Sequence, residues 1–388
     1  MSKEEYLITD TPLKALTVFA MPMILGSFFQ QVYNMADSII VGQFVGSSAL
    51  AAVGACAALT NVFICVALGA GVGAGVLVSR YFGAREYGKM KTIVSTSLIS
   101  FLVLSILLGV FGFWFSRGMM SGLQTPADIL KEAVLYLRVY FVGFPFLFMY
   151  NILSTMFTAI GESKIPLGLL IFSSILNIGM DLWMVAGLGL GVFGAALATL
   201  IAQGISAVLS FLIFFNRMRR YQSTFSWFDG RELCSMLQIA VPSVLQQSTV
   251  SIGMMIVQAV VNPFGTQALA GYAATMRVEN VFSLIFVSIG NAVSPYVSQN
   301  LGANKTQRIK KGYHAALVLD VCFAALAFLV IETLHTQISS LFLGKDGTAL
   351  AYQVSSRTRD HAAIPYCQHG QPCDSPVRGF DLCTAFWH

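Results

Sequence analysis

Charge is what this sequence has least of. Lys, Arg, Asp and Glu fill only 11% of its 388 positions, against 56% apolar residues and a mean hydropathy of +0.72. That balance excludes a soluble globular protein. The net charge of +5 is spread over short loops, so no concentrated basic face offers itself to nucleic acid, and no nucleic-acid partner is expected. Cysteine is sparse over the first 350 residues, where Cys56, Cys65, Cys234 and Cys322 each sit in or beside an apolar run. No disulfide framework is legible. Cys367, Cys373 and Cys383 stand near His361 and His369 but lack the paired C-x-x-C spacing of a zinc site, so no metal is expected. The first apolar run is long, carries Asp37 and has no clean small-residue cleavage site, which argues against a cleavable leader.

Present in their place are apolar runs of about 20 residues, each long enough to cross a ~30 Å hydrocarbon core. Their edges predict spans at Pro12–Ser38, Ala49–Val78, Ile93–Phe115, Val134–Ile160, Ile165–Ala186, Gly191–Phe215, Leu233–Val261, Ala268–Val297 and Tyr313–Glu332. With the N-terminus inside, the inside segments hold fifteen Lys/Arg, among them Arg80, Arg85, Lys89 and Lys91. The outside segments hold three, Arg117, Lys131 and Lys345. The asymmetry predicts a cytoplasmic N-terminus in a multi-pass protein of the plasma (inner) membrane. Within the second span, Gly69/Gly73 and Gly71/Gly75 form overlapping small-xxx-small pairs, which predict close helix packing rather than a phosphate loop.

The text also repeats. Ser79-Arg80-Tyr81-Phe82-Gly83-Ala84 returns 219 positions later as Ser298-Gln299-Asn300-Leu301-Gly302-Ala303. Ala49-Leu50-Ala51 and Lys91 return at the same offset, and Pro22 returns as Pro242 one residue out. Six spans separate the copies, so both have one orientation, related by an axis along the membrane normal with a cleft between them. Such duplication is the architecture of a transporter. It divides the chain into an N-terminal lobe (1–215, spans 1–6), a cytoplasmic linker (216–232), a partial C-terminal lobe (233–355, spans 7–9 and the start of span 10) and a divergent tail (356–388).

Acids inside the spans point to function. Asp37 ends span 1 and shares a helical face with Tyr33. Asp181 lies in span 5, one turn after Asn177. A carboxyl in a span costs roughly 2.5–3.5 kcal/mol near the bilayer centre, and it persists where it meets water or a polar partner, or holds a proton. Two such acids in one apolar cavity repel each other and lose hydration together, which favours taking up a proton from water near neutral pH. An intramembrane aspartyl protease would also carry two in-span acids. Its Tyr-Asp and Gly-x-Gly-Asp motifs are missing, however: the runs here are Asn34-Met35-Ala36-Asp37 and Ile178-Gly179-Met180-Asp181. No enzymatic activity, catalytic residue or organic cofactor is expected.

From Pro12 to Val354 the chain resembles the multidrug and toxic compound extrusion (MATE) family. The carriers are Gln31-x-Tyr33-x-x-x-Asp37-x-Ile39-x-Val41-Gly42, the Gly83-Ala84 and Gly302-Ala303 loops, Asn177-x-x-x-Asp181, and Glu279-Asn280. The resemblance implies an all-α polytopic membrane protein, a two-lobe bundle of parallel six-helix repeats, here with the second lobe incomplete. It implies a monomer that exports cationic or amphipathic drugs or toxins in exchange for H⁺ or Na⁺. Asp37 and Asp181 would couple the cation, Tyr33, Asn177, Thr199 and Glu279 would line the cavity, and Pro22 would be the hinge of the first helix. A lipid or cell-wall precursor flippase and an inactive truncated remnant are the alternative readings. From about Ser355 the text loses its apolar runs where the family continues with span 10 and two more, and a shifted reading frame or an altered gene product is expected there.

Overall fold

The computed structural model describes residues 5–123, 125–261 and 266–333. The divergent tail, with its cysteines and histidines, lies outside the described residues. The described part is helical: α1 (Tyr6–Thr9), α2 (Pro12–Phe44), α3 (Ser47–Gly83), α4 (Tyr87–Gly122), α5 (Ala127–Ala159), α6 (Lys164–Asp181), α7 (Gly191–Met218), α8 (Gly230–Val261), α9 (Thr266–Gly302) and α10 (Thr306–Thr333). Through Val330 they belong to one compact unit. Most helices outrun the apolar stretches that predict them, α4 beginning at Tyr87 and α3 ending at Gly83. A helix satisfies its own backbone whatever its side chains, so it continues past the point where polar residues start.

Eight of these helices are long and apolar enough to cross a membrane. The expected span 7 forms as α8. In α9 the qualifying stretch is Glu279–Gly302.

The largest core surrounds α5, which packs on α3, α4 and α7 and buries Leu137, Phe141, Phe144, Phe148 and Phe157. Phe63 of α3 meets Phe141 edge-on at 4.9 Å and 83°. A second core joins α1 and α2 to α9 and α10 through Leu7, Leu16, Phe19, Ile289, Tyr296 and Ala316. The glycines of α3 work as two edges. A Cβ on Gly73 would stand 2.6 Å from the Met236 carbonyl oxygen of α8, and one on Gly75 would stand 2.7 Å from Thr155 Cγ2 of α5. Small residues let α3 approach both neighbours closely.

The repeat is written in the backbone as well. Ala84 N donates to Arg80 O and Glu86 N to Tyr81 O; 219 positions on, Ala303 N donates to Gln299 O and Lys305 N to Asn300 O. Between them Arg85 (φ 59°) and Asn304 (φ 57°) both take the left-handed conformation. These two helix ends pack against each other. A Cβ on Gly83 would run into the Gln299 backbone, and one on Gly302 into the Arg80 backbone.

Candidate functional site

Asp37 stands on α2, and Asp181 is the last residue of α6, fully buried. Immediately beyond Asp181 the chain widens into a π-helical turn, Leu182–Gly187, a distortion often found beside functional residues. Packing of α2 on α6 brings the two carboxyls within hydrogen-bonding reach. One oxygen of each, Asp37 Oδ1 and Asp181 Oδ1, is buried with no partner among the described residues.

The neighbours are the residues named from the sequence. With its amide turned to suit its surroundings, Asn177 donates to Asp181 Oδ2 at 2.8 Å and accepts from Thr199 N at 3.2 Å. Thr199 Oγ1 donates to Ala195 O at 3.0 Å, which holds it on the facing side of α7. Tyr33 reaches Thr199 and lies in the field of both acids. Tyr136 of α5, not singled out in the sequence, lines a small pocket with Thr199 and packs on the cluster of Ile40 and Val41 at the end of α2. Its signal was poor, because it belongs to an aromatic-rich stretch of a core helix.

Next to the acids lies a cavity of about 570 Å³ between α2, α3, α5, α6, α7 and α9. Its polar wall includes Gln30, Asn34, Asn151, Ser174, Gln203 and Asn291, and no described lining residue is charged. Asp37 and Asp181 are not in the wall. Tyr33, Asn177 and Thr199 line the cavity and also touch the acid cluster, so they bridge the two. Pro22 lines it too, inside α2. Glu279 stands apart: it is exposed on α9, whose share of the wall is Leu284, Ser288 and Asn291. The missed wall residues carried a readable pattern. Gln30 and Asn34, or Asn151, Ser154 and Thr158, are polar at helical spacing within apolar runs.

A duplicated helical bundle with a polar cavity and buried acids inside its spans is a membrane transporter. The chain belongs to the MatE family, whose model matches residues 22–183 and 242–357. It is 27% identical over 365 residues to the probable multidrug resistance protein YoeA of Bacillus subtilis, covering 89% of this chain and 78% of that one. To the multidrug export protein MepA of Staphylococcus haemolyticus it is 28% identical over 336 residues, covering 85% and 74%. The fold matches a crystal structure of MATE in the bent conformation (TM-score 0.83, 24% identity, 90% of this chain and 79% of that one). It also matches MATE in the straight conformation (TM-score 0.81, 25% identity, 90% and 79%). The relatives are transporters, and the described residues form a transporter fold.

Proposed function

We propose that this chain is a multidrug efflux antiporter of the plasma membrane, N-terminus in the cytoplasm. It exports cationic or amphipathic compounds in exchange for protons, with sodium as the alternative ion. The observation that carries the reading is the acid pair set behind the cavity and joined to it by Tyr33, Asn177 and Thr199. An organic cation in the cavity is held better when the pair is ionised. A proton on the pair removes that attraction, so the two compete. A coupling of about 1–3 kcal/mol is enough for useful exchange. Carboxyl, amide and hydroxyl oxygens are also the ligand types that suit a hard cation such as Na⁺. The names of the curated relatives support the drug as cargo, and the excess of Lys/Arg on one side supports the orientation.

The test is Asp37→Asn, which keeps size and hydrogen bonding while removing the titratable group. Efflux of a fluorescent cationic dye from an efflux-deficient host, driven by a proton gradient, should stop while membrane levels stay unchanged. Dye efflux at the parental rate would reject the proton role. Substituting a sodium gradient for the proton gradient in the same vesicles separates the two ions.

A further inference from the structure

The chain between α7 and α8 carries Phe225, Trp227 and Phe228 on its outer side, with Trp227 72% exposed. An exposed loop with three large aromatics would ordinarily be pulled inward, yet this one is fastened by its backbone. Thr92 Oγ1 of α4 accepts from Ser226 N, Ser95 Oγ of α4 donates to Ser226 O, and Thr96 Oγ1 of α4 accepts from Asp229 N, each at 3.1 Å. Gly88 allows the close approach: a Cβ there would lie 2.8 Å from Thr224 O. With its polar backbone turned onto α4, the loop presents aromatic rings to its surroundings. Phe225 and Trp227 lie 5.5 Å apart, and Lys91 sits over the Phe225 ring at 5.7 Å.

Charge around this patch is sorted by sign. Arg219 is exposed and rests on Phe215 at 4.9 Å, and Arg231 is exposed. The nearby acids are engaged: Glu232 accepts from Tyr81 OH at 2.9 Å, Asp229 Oδ1 accepts from Arg231 N at 2.8 Å, and Glu86 pairs with Lys89 at 2.7 Å. Arg217 is paired with Glu162 and belongs to the interior. Farther along the same helices, Leu102 and Val103 of α4 and Phe211 and Leu212 of α7 are exposed apolar residues suited to acyl chains. Trp and Phe favour the headgroup level of a bilayer, and Arg and Lys there attract anionic lipid.

We propose that the 219–231 segment is an interfacial anchor that binds anionic phospholipid headgroups, seating Trp227 at the top of the acyl layer. The experiment uses the full chain in liposomes and compares it with Trp227→Phe, so that the difference spectrum isolates Trp227. Lipids brominated near the top of the acyl chain serve as quenchers, in phosphatidylglycerol or phosphatidylcholine at equal mole fraction. Trp227 emission should be quenched by both and more strongly by the glycerol lipid. That preference should fall about fivefold for each of Arg219→Gln and Arg231→Gln. Quenching by aqueous iodide with none by brominated lipid would overturn the proposal, as would equal quenching by both headgroups. Cross-linking of Trp227→Cys chains to one another, with no lipid quenching of Trp227 in the parental chain, would assign the patch to a second copy of the chain and overturn it too. The readout needs no transport, so it is independent of the antiport reading.

Discussion

Asp181 is fully buried, and Asn177 is the described side chain that donates to its Oδ2. Asn177 sits one turn before it on α6, where a residue four positions back shares the face. Replacing Asn177 with Leu keeps the branched shape of the amide but withdraws the donor, leaving a desolvated carboxyl oxygen with one partner fewer. The expected loss is about 1–3 kcal/mol, read as a lower Tm of the purified protein in detergent. Export should fall as well, because Asn177 also forms part of the cavity wall. An unchanged Tm would mean that another donor, or the second carboxyl, already satisfies Asp181.

At the scale of the element, α2 is the helix with most asked of it. It carries Pro22, Tyr33 and Asp37, packs on α6 and α9, and lines the cavity. Pro22 cannot donate to the Val18 carbonyl, and its ring crowds the preceding turn. Ser163 Oγ donates to the neighbouring Phe19 carbonyl at 3.0 Å and so steadies the same turn. Pro22→Ala restores the missing donor and should raise stability by up to about 3 kcal/mol. It should slow export if bending at this turn belongs to the cycle. A higher Tm together with unimpaired dye efflux would remove Pro22 from the working parts.

For the molecule as a whole, the decisive contact is between the two copies of the repeat. Gly83 meets the Gln299 backbone and Gly302 meets the Arg80 backbone, in matched fashion. Close to them, α1 is tied to the second copy. Asn300 Nδ2 donates to Leu7 O at 3.1 Å, Lys305 Nζ to Ile8 O at 3.2 Å and Arg308 Nη2 to Asp10 O at 2.5 Å. Glu5 pairs with Arg85 of the first copy at 3.0 Å. If the halves are equivalent at this contact, Gly83→Val and Gly302→Val should each destabilise by a similar amount. The overpacking cost is about 1–3 kcal/mol, and the double variant should lose less than the sum, because either one alone already parts the helices. Thermal unfolding of the three variants checks this. Fully additive losses would show that the two glycines act separately.

Much of this was legible in the residues alone, for a local reason. In lipid every backbone polar group must be satisfied within its own helix, so apolar runs foretell spans almost directly. The tight spacing of Gly69, Gly71, Gly73 and Gly75 foretold close approach, and the repeat foretold a doubled architecture. The chain did not reveal which faces meet. Asp37 and Asp181 are 144 positions apart, and their proximity comes from the packing of α2 on α6. Tyr136 and the α9 wall of Leu284, Ser288 and Asn291 were settled by helix rotation, which hydropathy does not encode. Spans are written one helix at a time, whereas a cavity is shared by six helices and exists only once they have packed.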